Sequence, residues 1–135
     1  MYKALLVDDE DIAKIGFQTF INWEQHGFSV MGTASNGADA IEMVKKYHPD
    51  LVVSDLVMPT MDGIEMTEKL HEIGYSGEIV IVSNYSDFNS VKKLIKLGVE
   101  DYILKISYQK SEFESMLDNV RKKLDLKKDK NNNDI

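Results

Sequence analysis

The chain has 135 residues, 43% hydrophobic and 29% charged, and no cysteine. That is the size and make-up of one globular domain, and it excludes a disulfide framework, thiol catalysis and thiolate metal sites. Residues 1–120 hold 10 lysines against 20 acidic residues (net −10), whereas residues 121–135 hold six basic against three acidic. So acidic a body argues against nucleic-acid binding by residues 1–124.

No run approaches the roughly 18 apolar residues that a membrane helix needs. The opening Met1–Val7 turns acidic too soon for a secretory signal, so a cytoplasmic, reducing location without membrane contact is expected.

Lys3–Val7 predicts a buried strand. Asp11 to about His26 predicts a helix, with Ile12, Ile15, Phe17, Phe20, Ile21 and Trp23 broadly at helical spacing and Gly27 as its stop. Phe28–Ala34 predicts a second strand. After the Asn36-Gly37 turn, Ala38–Tyr47 predicts a second helix, broken by Pro49. Leu51–Val53 is a short, wholly apolar third strand, which points to a parallel sheet covered on both faces.

Asp55–Gly63 is a loop, Ile64–Ile73 a third helix ended by Gly74, and Glu78–Val82 a fourth strand. Asp87–Leu97 predicts a fourth helix, with Val91, Leu94, Ile95 and Leu97 inward and Lys92, Lys93 and Lys96 outward. Asp101–Leu104 is the fifth strand. Glu112–Leu124 is the fifth helix, with Phe113, Met116, Leu117, Val120 and Leu124 on one face. Residues 1–124 thus make the domain, and the polar stretch 125–135 reads as a disordered tail or linker.

Five βα units imply a parallel sheet with right-handed crossovers, and sites on such sheets form beyond the carboxyl ends of the strands. Asp8-Asp9-Glu10-Asp11 come after the first strand, Ser54-Asp55 after the third, Ser83-Asn84 after the fourth and Lys105 after the fifth. Crowded carboxylates repel one another, and a hard divalent cation relieves this. Oxygen donors without His or Cys favour Mg²⁺, with Mn²⁺ as the alternative. Asp55 is the natural nucleophile, since a carboxylate can form an aspartyl-phosphate. Lys105 and the Ser83 hydroxyl would neutralise and hydrogen-bond phosphoryl oxygens. Each residue alone also has a plain reading as helix cap, turn former or solvated lysine. Their placement at four strand ends is what selects the chemical one.

These residues resemble the receiver domain of bacterial two-component response regulators. The similarity lies in Val7-Asp8-Asp9-Glu10, in Asp55-Leu56-Val57-Met58-Pro59-Thr60-Met61-Asp62-Gly63, in Ser83, in Gly98-Val99-Glu100-Asp101-Tyr102 and in Lys105. The resemblance implies a flavodoxin-like (βα)₅ fold, a doubly wound five-stranded sheet of order 2-1-3-4-5. It implies a phosphoryl group passed from a sensor histidine kinase to Asp55. It also implies Mg²⁺ held by Asp9, by Asp8 through water, by Asp55 and by the Val57 backbone carbonyl. Ser83 and Tyr102 would be a switch pair, reported by the face of helix four, strand five and helix five, with homodimerisation on phosphorylation as one outcome.

Trp23-Glu24-Gln25-His26-Gly27-Phe28, Ala34-Ser35-Asn36-Gly37 and Tyr85-Ser86-Asp87-Phe88 look like receivers fused to AraC-type helix-turn-helix output domains. No output domain is present in this sequence, which suits an excised receiver of a transcription regulator, or a receiver that stands alone.

One departure concerns the residue after the lysine, where the family usually has a proline joined by a cis peptide. Here it is Ile106. A cis bond before a non-proline costs about 3–4 kcal/mol, so a trans Lys105–Ile106 bond in a rearranged loop is expected. Val57 and Tyr85, at the positions that govern water access in the family, are bulky and are poor bases, so a long-lived phosphoryl group is expected.

Three alternatives stand beside the switch. A pseudo-receiver would act by protein contact alone, and only Ile106 favours it. A dehalogenase-like phosphohydrolase would want an acid where Val57 stands. A nucleotide or flavin module would want a Gly- or Ser-rich loop where four acids stand. His26, His48 and His71 share no ligand spacing and read as surface residues. The Lys92, Lys93 and Lys96 stripe reads mostly as solvated, and Arg121-Lys122-Lys123 as charge complementing a helix end.

Overall fold

A computed structural model describes residues 1–84 and 87–133, the last three by backbone alone. Five strands, β1 (Tyr2–Val7), β2 (Phe28–Ala34), β3 (Leu51–Ser54), β4 (Glu78–Ser83) and β5 (Asp101–Leu104), form one parallel sheet of order 2-1-3-4-5. Helices α1 (Asp11–Phe20), α2 (Gly37–Tyr47), α3 (Gly63–Glu72), α4 (Phe88–Lys96) and α5 (Lys110–Asn133) connect and cover them.

Every residue of β3 and β4 is buried, because helices lie on both faces. The pleat sorts the strand residues between two cores. Ala4, Leu6, Leu51, Val53, Val80 and Val82 face α1 and α5, where they meet Phe17, Phe113 and Leu117. Leu5, Val7, Val52, Ile79 and Ile81 face the other way, onto Ile41, Met66, Leu70 and Leu94. Register pairs Val7 with both Ala34 and Ser54, and Ser83 with Leu104. The carboxyl ends of the strands therefore share one edge. The order reverses between β1 and β3, where this class of sheet opens a crevice.

Helix α1 stops at Phe20, short of the expected His26. Ile21 leaves the helix in an extended conformation, and this change of course lets Ile21 and Trp23 both be buried although only two residues apart. The Trp23 indole N–H donates to the Phe17 carbonyl at 2.9 Å, and a separate 3₁₀ turn, Glu24–His26, comes next. Gly27 ends it at φ +86°, and a Cβ there would lie 2.8 Å from Cδ of Arg121, so α5 packs directly on this turn.

On α4 only Leu94 is fully buried. Ile95, expected inward, is 66% exposed, because α4 covers the sheet along a narrow stripe. Helix α5 continues through the stretch expected to be a tail. Asp125 pairs with the Tyr2 hydroxyl, and Lys127 Nζ reaches Glu78 Oε1 and the Ser76 carbonyl. Lys123 bridges Glu78 and Glu100. The basic run at 121–123 is thus mid-helix instead of complementing a helix end: Lys123 pairs across to the sheet, and Arg121 pairs with Asp118 of its own helix. A surface cavity of about 940 Å³ lies beside this anchorage at the amino ends of the strands, by Tyr2, His48, Tyr75 and Lys127.

Phe113 is fully buried, with its ring 5.5 Å from those of both Phe17 and Trp23. Phe113→Ala is expected to cost about 3–5 kcal/mol in urea unfolding, whereas Ile95→Ala should change stability by less than about 0.5 kcal/mol.

Candidate functional site

The site is assembled from the residues that leave the strands at the shared edge. The Asp8 amide extends β1 by one bond to the Ala34 carbonyl, and the Asp55 amide does the same for β3 by bonding the Val7 carbonyl. Both side chains are thereby directed into the crevice, and both are buried. One oxygen of each is held by backbone. Asp8 Oδ1 accepts from the Glu10 amide at 2.9 Å, and Asp55 Oδ1 accepts from the Leu56 amide at 2.7 Å.

The second oxygens share one cation. The Lys105 amide bonds the Ser83 carbonyl, which fixes the start of the loop after β5. From there Lys105 Nζ lies 2.6 Å from Asp8 Oδ2 and 3.1 Å from Asp55 Oδ2. No cis peptide bond occurs among the described residues, so Lys105–Ile106 is trans as expected. The loop turns instead through bonds from the Ser107 and Tyr108 amides to the Leu104 carbonyl. The missing proline leaves the lysine in the site.

Burial alone would make Lys105 lose its proton more easily. The hydrogen bond to Asp8 and the charges of Asp55 and Asp8 outweigh this, and the ammonium titrates above the usual lysine value.

The loop after Asp55 is pinned at both ends. The Gly63 amide bonds the Leu56 carbonyl at 2.7 Å, and a Cβ on Gly63 would sit 2.7 Å from the Asp55 carbonyl oxygen, so only glycine allows α3 to start so close. Asp62 caps α3 by accepting from the Glu65 amide. The Gly37 amide reaches the Met61 carbonyl, which ties the loop to the start of α2. Val57 lies half exposed on this loop.

Ser83 is fully buried and hydrogen-bonded to Tyr102. Burial raises the Tyr102 titration, the Ser83 bond lowers it, and the charges of Asp55 and Asp87 raise it further, so the phenol stays neutral. Tyr85, expected to tune water access, lies outside the described residues.

Carboxylate oxygens of Asp8, Asp9 and Glu10 lie within 4.8 Å of one another. Hard oxygen donors in negative excess beside a single ammonium suit Mg²⁺. Asp8, Asp9 and Asp55 would hold the ion, with Glu10 beside them. Glu10 belongs to the acidic start of the motif, but the sequence does not single it out as a ligand. Nor does it single out Lys14, which is buried, with Nζ 2.9 Å from Ser35 Oγ and 3.2 Å from Asp11 Oδ1. Its signal is position: Lys14 and Phe17, three residues apart, share the inward face of α1, where a lysine is out of place.

The Response regulator receiver domain profile matches residues 4–118. This chain belongs to the response regulator receiver family. It is 39% identical over 105 residues to the transcriptional regulatory protein YesN of Bacillus subtilis, covering 78% of this chain and 28% of that protein. It is 36% identical over 103 residues to the response regulator VraR of Staphylococcus saprophyticus, covering 76% and 49% respectively. The chain thus spans less than half the length of these curated relatives. Among solved structures, the receiver (REC) domain of AraT, a response regulator from Geobacillus stearothermophilus, superposes with a TM-score of 0.85 at 28% identity, covering 94% of this chain and 98% of that one. Receiver domains are signalling switches, they imply a histidine kinase partner, and they generally bind Mg²⁺ through acidic residues.

Lys105→Met removes the one cation shared by Asp8 and Asp55. Thermal unfolding at pH 8 without divalent ions should show a loss of about 1–3 kcal/mol, and millimolar Mg²⁺ should raise Tm more in the variant than in the native receiver. The raised titration of Lys105 also has a definite sign. Its contribution is complete below the ordinary lysine value and is lost as pH rises through the folded one, so the alkaline limb of the stability curve should flatten in the variant.

Proposed function

We propose that this receiver accepts a phosphoryl group on Asp55 from a sensor histidine kinase and uses it to control an output, namely transcription. The observation that carries this is the arrangement around Asp55. A buried carboxylate has one oxygen on the Leu56 amide and the other on the Lys105 ammonium, beside the acidic cluster Asp8-Asp9-Glu10.

In the reaction a carboxylate oxygen of Asp55 attacks the phosphorus of phosphohistidine. An O–P bond forms, the P–N bond breaks, and its electron pair stays on the imidazole nitrogen, which takes up a proton. Lys105 passes from the carboxylates to a phosphoryl oxygen, so its charge is retained at the site throughout. A bound Mg²⁺ supplies further charge neutralisation on the phosphoryl oxygens. Asp8, Asp9, Asp55 and the Val57 carbonyl are its proposed ligands. The Ser83 hydroxyl then leaves Tyr102 for the phosphoryl group, and Tyr102 moves inward behind it. This exchange repacks the α4–β5–α5 face, which becomes the surface for the output or for a homodimer. An AraC-type helix-turn-helix domain is the output we infer, from the motifs at 23–28 and 34–37 and from relatives that are longer transcriptional regulators.

The contact-only reading rests on Ile106, and the trans peptide with Lys105 still on both carboxylates takes that support away. A protein donor is favoured by the apolar rim. Ile12 and Ile106 are 85% and 83% exposed, and a groove of about 350 Å³ between α1 and the loop after β5 includes Ile12, Lys105 and Tyr108.

Incubation with Mg²⁺ and acetyl phosphate should add one phosphoryl group by intact mass, and none in Asp55→Asn. An adduct that survives in Asp55→Asn defeats the assignment. The adduct should last minutes or longer, because Val57 and Tyr85 offer no base for water. Ile12→Asp should slow transfer from a phosphorylated kinase about tenfold, equivalent to about 1.4 kcal/mol of docking energy, while leaving acetyl phosphate labelling unchanged.

A further inference from the structure

The motif Trp23-Glu24-Gln25-His26-Gly27-Phe28 has no part in the Asp55 site. It lies before β2, at the amino ends of the strands. Its histidine closes the 3₁₀ turn and faces α5. His26 Nδ1 is 2.7 Å from Asp118 Oδ1, and Nε2 is 3.0 Å from Glu114 Oε2. Residues 114 and 118 are one helical turn apart, so the two carboxylates grip both edges of one ring.

A neutral imidazole has one N–H and one lone pair. Against two carboxylates it can satisfy one and must aim its lone pair at the other. Only the imidazolium donates to both. We propose that His26, Glu114 and Asp118 form a proton-operated latch that clamps α5 onto the turn before β2, closed when the ring is cationic and released when it is neutral.

The surroundings fit a latch laid over an apolar seat. Beneath it the Trp23 ring meets Phe113 edge-on at 5.5 Å, and Gly27 lets Arg121 lie flat on the turn. The other charges facing the ring are few. Arg121 is 3.7 Å from Asp118 on α5, and Glu24 opens the turn itself. Arg121 partly offsets Asp118, but nothing in the described contacts offsets Glu114. The Asp118 hydrogen bond favours the charged ring, burial opposes it, and the Glu114 hydrogen bond restores it, so His26 titrates above the ordinary histidine value. A group raised in this way stabilises fully below its ordinary pKa and stops doing so as pH rises through the folded one. The window opens from near neutrality upward. The latch stands whether or not Asp55 takes a phosphoryl group.

The test tracks the His26 ring protons by NMR and the amide exchange of residues 113–121 from pH 5.5 to 9.5, in the native chain and in Glu114→Gln/Asp118→Asn. In the native chain His26 should titrate above about 6.5. Protection of α5, corrected for intrinsic exchange, should fall about tenfold for each pH unit by which the native midpoint exceeds that of free histidine. The double variant, whose amides can serve a neutral ring, should titrate near the free value and show pH-independent protection. A native midpoint at or below the free value, or α5 protection that does not change with pH, overturns the latch. The native titration decides the matter even if the double variant is unfolded.

Discussion

One ammonium held between two buried carboxylates organises this domain. Asp8 follows β1, Asp55 follows β3 and Lys105 follows β5, so the contact spans the sheet across β4. Opposite charges that must meet fix how far each strand end projects, and the backbone bonds from Glu10 and Leu56 leave each acid little freedom. In the proposed reaction the lysine that neutralises two acids at rest would go on to neutralise the oxygens of an incoming phosphoryl group. Stability and the proposed chemistry would then draw on one interaction.

The fold was legible because the physics behind it is local. Apolar runs at 51–53 and 79–82, too short for helices, read as strands covered on both sides, and the first polar residues beyond each strand lie together at one edge. Asp8, Asp55 and Lys105 meet as their positions suggested, and with Ile106 after it on a trans peptide the lysine reaches both acids. Other features depended on partners far away in sequence, which periodicity does not register. Ile21 and Trp23 break the helical spacing because both are needed in the α1–α5 core. Ile95 obeys the spacing but has no element above it. The polar residues after 124 resemble a solvated tail until Tyr2, Ser76 and Glu78 are seen to receive them.

Those partners alter the status of α5. Glu78 is buried at the start of β4 with two lysines of the helix on it, Lys127 at 2.5 Å and Lys123 at 3.3 Å. Both lysines remain nearly half exposed, so water screens these pairs and they contribute far less than a fully buried pair would. The anchorage therefore fixes where the second half of the helix lies, while Phe113 and Leu117 bury the apolar side of the first.

A straight helix of 24 residues is about 36 Å long. It starts in the loop that carries Lys105 and ends beyond the opposite pole of the sheet. Fastened to Glu78 by Lys123 and Lys127, it divides near Asp125 into an arm of about 22 Å toward the Lys105 loop and one of about 12 Å toward the far tip. Tilting such a rod about that point by about 2° moves the near end by about 0.8 Å and the far tip by about 0.4 Å the opposite way. A rearrangement behind Lys105 would thus arrive at the other end of the domain reversed in direction and about halved.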